Sequence, residues 1–156
     1  MTDLRDVALQ ALHDNGFATD LEADAKRELN ALRMPGDTGV RDLRALLWSS
    51  IDNAESKDLD QIEFAEETID GGVRLRVGIA DVDVAVPKGS ALDRHAMTNA
   101  TSVYTGIAVY PMLPPEISTG ATSLNEGEER IVLVIELVIA PNGTVTSHDV
   151  YRAIAQ

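Results

Sequence analysis

Arg130-Ile131-Val132-Leu133-Val134-Ile135-Glu136-Leu137-Val138-Ile139, then Ala140-Pro141-Asn142-Gly143, then Thr144-Val145-Thr146-Ser147-His148-Asp149-Val150, is the stretch whose reading decides the fold. The first run is apolar and interrupted by Glu136, and it is too short for the roughly 20 residues that cross a bilayer, so it reads as a strand. Asn142-Gly143 between apolar runs is a strong short-range hairpin signal, because both residues tolerate the positive φ that a tight turn needs. The end of the chain is therefore an antiparallel pair over residues 130–139 and 144–150.

Working outward, Val73, Leu75, Val77 and Ile79 alternate with polar residues, as in a half-buried strand over residues 73–80. Residues 63–69 precede Asp70-Gly71-Gly72 and pair with that strand as a second hairpin. Between the two hairpins, residues 90–103 carry Leu92, Ala96 and Ala100 on one helical face, with Ser90 as N-cap. Upstream, residues 4–14 place Leu4, Val7, Ala8, Ala11 and Leu12 on one face, and residues 20–33 do the same with Leu21, Ala25, Leu29 and Leu32. Asn15-Gly16-Phe17 reads as a C-cap with an apolar anchor, and Met34-Pro35-Gly36-Asp37 ends the second helix. A third, short helix is expected over residues 40–47. The class is α+β: N-terminal helices, then a mainly antiparallel sheet with at least one packed helix. We divide the chain into an N-terminal helical segment (residues 1–39) and the part that follows (residues 40–156).

Composition restricts the function. There are 156 residues, enough for one domain with a real core, and none is a cysteine, which excludes disulfides and thiolate metal sites. No basic and apolar leader opens the chain, and a cytoplasmic protein with no membrane association is expected. Thirteen basic against 26 acidic residues give a net charge of −13. Such a chain repels a polyanion at long range unless divalent cations bridge the two. His13, His95 and His148 lack metal-ligand spacing, and no Ser-His-Asp, phosphate-loop or dinucleotide signature is present.

The chemistry is carried by Ser50-Ile51-Asp52-Asn53-Ala54-Glu55-Ser56-Lys57-Asp58-Leu59-Asp60-Gln61. Carboxylates gathered in one loop repel each other, and a cation or protonation relieves them. Their hard oxygens suit Mg²⁺, Mn²⁺ or Ca²⁺. On spacing alone a solvated acidic loop remains an equal reading. A calcium loop starting at Asp52 fails, because Ala54 occupies a ligand position and Lys57 replaces the glycine of the sharp turn.

The neighbours of this loop make it specific. Arg41-Asp42-Leu43-Arg44-Ala45-Leu46 leading to Ser50-Ile51-Asp52 resembles the "RDLRDLPFVTID" lead-in of the RNB exoribonucleases, the ribonuclease II/R family, and Asp58-Leu59-Asp60 resembles the end of that family's acidic motif. Val77-Gly78-Ile79-Ala80-Asp81-Val82 is similar to its "VHIADV", Gly89-Ser90-Ala91-Leu92-Asp93 to "GSALD", and Thr101-Ser102-Val103-Tyr104 to "TSVY". Tyr110-Pro111-Met112-Leu113-Pro114 is similar to "IPMLP", and the segment from Ser123 to Arg130 to "SLNPGEDR". These seven blocks occur in the family's order.

The resemblance implies the N-terminal part of an RNB catalytic domain over residues 40–156. It implies a metal-dependent 3′→5′ exoribonuclease that hydrolyses single-stranded RNA to nucleoside 5′-monophosphates. It further implies Asp60, Asp52 and Asp58 as catalytic residues, and Asp52, Asp58, Asp60 and Gln61 as the positions around Mg²⁺, with Mn²⁺ as the alternative. Tyr104 would stack on RNA, and Asp81 is expected to serve the fold. Two departures stand out: Gln61 replaces the fourth aspartate, and the family's domain continues past the point matched by Gln156. The remainder of the RNB domain, on another chain or segment, is thus an expected partner. The alternative is a catalytically impaired RNB-derived domain that binds RNA or protein.

Overall fold

The structure is a computed structural model, described over residues 3–36 and 39–156. Helices α1 (Leu4–Asp14) and α2 (Ala23–Ala31) come first. Strands β1 (Arg41–Asp42), β2 (Gln61–Glu67) and β3 (Val73–Ala80) follow, then a 3₁₀ turn (Val82–Val84) and helix α3 (Ala91–Asn99). A small pair, β4 (Val103–Tyr104) and β5 (Val109–Tyr110), leads to a π-helical turn (Glu116–Ala121) and the long strands β6 (Arg130–Ile139) and β7 (Val145–Ala155). The main sheet has the order β1-β7-β6-β3-β2, antiparallel throughout except for β1, which runs parallel to β7. Both expected hairpins form, β2–β3 and β6–β7, and the α+β class holds.

Two apolar cores sit side by side. Ile62, Val132, Val134, Ala153 and Ala155 share one sheet face, which Trp48, Leu43, Leu59 and Leu124 cover. The second core joins Ala25 of α2 to Ala91 and Leu92 of α3 and to Val86, Leu113 and Ile117. The N-terminal helices are tied to α3 by polar contacts as well. The Glu28 carboxylate accepts from the backbone N–H groups of Ala91 (2.9 Å) and Leu92 (3.0 Å). Ser90 caps the same helix by accepting from the Asp93 N–H. Free N–H groups at a helix start favour an anion, which is why a glutamate from α2 docks there.

Several element boundaries differ from the reading of the sequence; helix α2, expected over residues 20–33, is confined to Ala23–Ala31. The short helix expected over residues 40–47 is absent. Arg41 and Asp42 instead pair with Ala153 and Ile154, and the Asp42 carboxylate accepts from the Arg44 N–H, a local bond that competes with helix formation. Helix α3 stops at Asn99, not near residue 103, because Ala100 takes a left-handed φ of 59° and the Asn99 side chain bonds both backbone groups of Ala18. Strand β2 starts at Gln61 and ends at Glu67, before the turn that holds Gly71 at a φ of 77°. Strand β7 runs on to Ala155, since β6 offers ladder partners along its whole length. In the expected C-terminus of α2, Asp37 lies outside the described residues.

Gly78 and Trp48 depart from the family motifs at positions where those motifs carry His and Phe. A Cβ at Gly78 would lie 3.1 Å from Ile62 and 3.6 Å from the Trp48 ring, so the larger indole uses space left by the missing side chain. Trp48 also donates its indole N–H to the Leu43 carbonyl (3.0 Å) and meets Phe64 edge-on.

Candidate active site

The acidic loop begins at the end of the Trp48 segment and runs into β2, so its two ends are set by the sheet. Ser49 bridges to Glu63, and the Asp60 carbonyl accepts from Ala80 N–H (2.9 Å). Its middle is held by Ser123, whose residue is 1% exposed. The Ser123 hydroxyl accepts from Leu59 N–H (3.1 Å) and donates to the Lys57 carbonyl (2.9 Å), while Leu124 N–H donates to the Leu59 carbonyl (2.8 Å). Asp58 is thereby fixed between two anchored residues.

Asp52, Asp58 and Asp60 are all exposed, and none of their carboxylates makes a hydrogen bond or ion pair among the described residues. They are free to take a cation, and as hard oxygen donors they suit Mg²⁺ or Mn²⁺. The geometry does not assemble them: among the described residues no three acidic or histidine side chains converge on a metal position. Gln61 is engaged elsewhere, its amide donating to Glu63. Strand alternation puts Gln61 on the sheet face of Ile79, opposite to the face of Ile62 and Ala80 on which Asp60 falls.

One cavity of about 500 Å³ joins three of the motif blocks. Asp58, Lys57, Ser56, Glu55 and Asn53 form one wall, and Tyr104, Ser102, Val109, Pro111 and Pro115 form another. Ser118 and Thr119, from the π-helical turn, close it. Such turns recur at functional sites because the extra residue re-aims side chains. Tyr104 is 69% exposed, so its ring is available for stacking. The structure therefore brings Asp58 and Tyr104 together, while Asp52, Asp60 and Gln61 lie outside this cavity. A second cavity of about 350 Å³, behind the loop, is lined by Trp48, Leu59, Glu126, Glu128 and Arg130, of which Glu128 and Arg130 pair with each other.

Most arginines are committed to carboxylates. On the covered side of the sheet, Arg76 pairs with Glu136 (2.8 Å) and Glu66 (3.0 Å), and Tyr151 donates to Glu136 (2.8 Å). Burial pushes Glu136 up, but the bonds from Tyr151 and Arg76 outweigh it and hold the carboxyl below its usual range. Burial and the Glu136 carboxylate together raise the Tyr151 phenol. Arg41 stacks over the Tyr151 ring, 3.6 Å from its centre. Asp81 is buried and pairs with Arg152 (2.5 Å), which also reaches Asp83 (3.0 Å).

The reading of the sequence did not single out Ser123, Lys57, Ser118 or Thr119. Ser123 belongs to a recognised block, but its bonds to Leu59 and Lys57, 64 and 66 positions earlier, have no local signal. The π-helical turn follows directly on Pro114-Pro115.

The RNB domain family model matches residues 40–156. Ribonuclease R of Vibrio parahaemolyticus is 42% identical over 116 residues, covering 74% of this chain and 14% of its own length. Ribonuclease R of Thermotoga maritima is 37% identical over 146 residues, covering 91% of this chain and 21% of its own. Among solved structures, Mycoplasma genitalium RNase R in complex with ribose-methylated single-stranded RNA superposes with a TM-score of 0.83 and 28% identity. That match covers 92% of this chain and 23% of the other. The chain thus spans well under a third of the length of each of these relatives.

Proposed function

The chain belongs to the RNB-domain family, and on that premise we propose that it carries the metal-binding loop and base-stacking wall of a 3′→5′ exoribonuclease. The substrate is single-stranded RNA, the products are nucleoside 5′-monophosphates, and the compartment is the cytoplasm. The observation that carries this reading is the shared cavity of Asp58 and Tyr104. Tyr104 accepts a base on its ring face, a contact indifferent to sequence and suited to a strand that must be read through. Asp58, fixed by the Ser123 clamp, faces the same space from the side where the phosphodiester would lie.

Asp52, Asp58 and Asp60 would hold Mg²⁺, or Mn²⁺ in its place, and Gln61 would be a neutral fourth position only by leaving Glu63 and turning from the opposite face of its strand. A bound ion of this kind polarises a phosphodiester and lowers the pKa of an attacking water. Binding requires Asp52 and Asp60 to close on Asp58, because the three do not converge as the loop stands. With no other partners to give up, the cost of that closure is the repulsion between the carboxylates, which the cation offsets. Calorimetric titration with Mn²⁺ tests it: heat is expected for the wild type, and an identical heat from the doubly substituted Asp52→Ala/Asp60→Ala protein would refute it.

We further propose that the remainder of an RNB-type domain completes the site. The relatives named above extend far beyond the matched region, and one face of the sheet is only partly covered: Ile131 and Ile154 are buried there, while the rows further along are not. Leu75, Val77 and Ile79 of β3 lie beside Leu137, Ile135 and Leu133 of β6, all at least partly exposed, and none joins either core. An apolar face of this size on two central strands is ordinarily covered. Little exonuclease activity is expected from this chain alone. Processive release of mononucleotides from a free 3′ end would overturn that, and repeating the assay with Gln61→Asp measures what the missing charge costs.

A second reading, an impaired domain that binds RNA or protein, is favoured by Gln61 being engaged with Glu63 and by the charge of −13. RNA binding without mononucleotide release, unchanged by Gln61→Asp, would select it.

A further inference from the structure

We propose that Lys57 is the phosphate-binding group of the Tyr104 cavity, contacting the backbone of a single-stranded RNA whose base stacks on Tyr104. The inference rests on the reading of this cavity as an RNA site and adds the one cation in its lining, which offsets part of the charge of Glu55 and Asp58.

Most of the positive charge in the molecule is already engaged. Arg41, Arg44, Arg74, Arg76, Arg94, Arg130 and Arg152 each pair with a carboxylate. Lys57 makes no ion pair among the described residues, and it is the one cationic residue lining the cavity. Glu55 and Asp58 line the same space. Without Lys57 that wall would present only negative charge to a phosphate. The opposite wall is uncharged, built from the Tyr104 ring, two prolines, Val109 and the hydroxyl groups of Ser102, Ser118 and Thr119. A strand laid through the cavity would thus meet an aromatic face on one side and, on the other, a single cation between two carboxylates, so Lys57 is the only group of that wall to which a phosphate is drawn.

The main chain of Lys57 is fixed while its side chain is exposed. Its carbonyl accepts from the fully buried Ser123 hydroxyl at 2.9 Å, two residues before the Leu59 N–H is held by the same atom. The buried clamp places the ammonium stem at the cavity edge, and the flexible stem adjusts to a moving backbone. A lysine suits this task better than an arginine, because a point charge on a mobile stem does not demand one bidentate phosphate geometry. Stacking and phosphate contact both carry no base information, as sequence-tolerant binding requires.

The experiment is fluorescence anisotropy with a 5′-fluorescein oligoadenylate bearing a free 3′ hydroxyl, in fixed calcium, over a range of KCl concentrations. Wild type, Lys57→Gln, Lys57→Arg and Tyr104→Ala are compared, with Trp48 fluorescence confirming that each is folded. Lys57→Gln is expected to bind roughly two- to fivefold more weakly at low salt. Its plot of log affinity against log salt should be shallower by about 0.7, the loss of one phosphate contact to a single strand. Lys57→Arg should keep the wild-type slope. Tyr104→Ala should weaken binding about tenfold at unchanged slope, because stacking releases no counterion. A Lys57→Gln protein with wild-type affinity and slope, beside a weakened Tyr104→Ala, would overturn the role of Lys57 and leave the RNA site standing. Absence of wild-type binding would overturn both.

Discussion

Ser123 shows how one hydroxyl can organise a site from the opposite side of the fold. It satisfies the Leu59 N–H and the Lys57 carbonyl together, so the residue between them, Asp58, has little freedom in its main chain. Ser123→Ala leaves a buried N–H without its partner, which costs about 1–3 kcal/mol. A thermal melt followed by Trp48 fluorescence should show that loss, and Mn²⁺ affinity should fall with it. An unchanged melt would mean the loop is held by other contacts. Asp42 is a second decisive residue. The Arg44 guanidinium and N–H bonds hold its carboxyl down at about 2, below the ordinary value of 3.8. A depressed carboxyl stabilises the fold above its unfolded pKa, and that contribution is lost as pH falls from about 4 towards 2. Asp42→Asn should therefore flatten the acid limb of the stability curve in that window, measured by urea melts at stepped pH, and leave its shape above pH 5 unchanged.

At the scale of elements, the turns fix the register and the register fixes the faces. In the β2–β3 hairpin a Cβ on Gly72 would sit 2.3 Å from the Ile139 carbonyl oxygen, backbone that cannot swing aside. Gly72→Ala is expected to destabilise by about 1–3 kcal/mol through this overlap, read from a urea melt. Gly71→Ala meets no backbone at such a distance, and its penalty comes from its φ of 77° alone. Equal losses at both glycines would argue against the steric account. Helix α3 illustrates the same dependence between elements: Ser90 gives it a local cap, and Glu28 of α2 supplies the remaining acceptors.

For the whole molecule, the uneven covering of the two sheet faces is the feature with most consequence. One face holds a core with the Trp48 segment and the acidic loop, while the other exposes the aliphatic rows of β3 and β6. Leu133 and Val150 on that side are 38% and 57% exposed. Leu137→Lys should leave the melting temperature within a few degrees of the wild type, since the site is only partly buried, and should reduce self-association and hydrophobic-dye binding. A large drop in stability with no change in dye binding would show that the face is already covered in solution.

The sequence by itself determined the family, the two hairpins and the three helices, because periodicity, Asn-Gly and Gly-Gly turns and ordered motif blocks are local signals. It also marked Asp52, Asp58, Asp60 and Tyr104, through the neighbours that surround them. Tertiary structure decided what those residues share. Asp58 and Tyr104 are 46 positions apart and meet across one cavity, whereas Gln61, adjacent to Asp60, falls on the opposite face of its strand. The reason is the two-residue period of a strand and the long-range bonds of Ser123: the first separates neighbours in sequence, and the second joins residues that no local pattern relates.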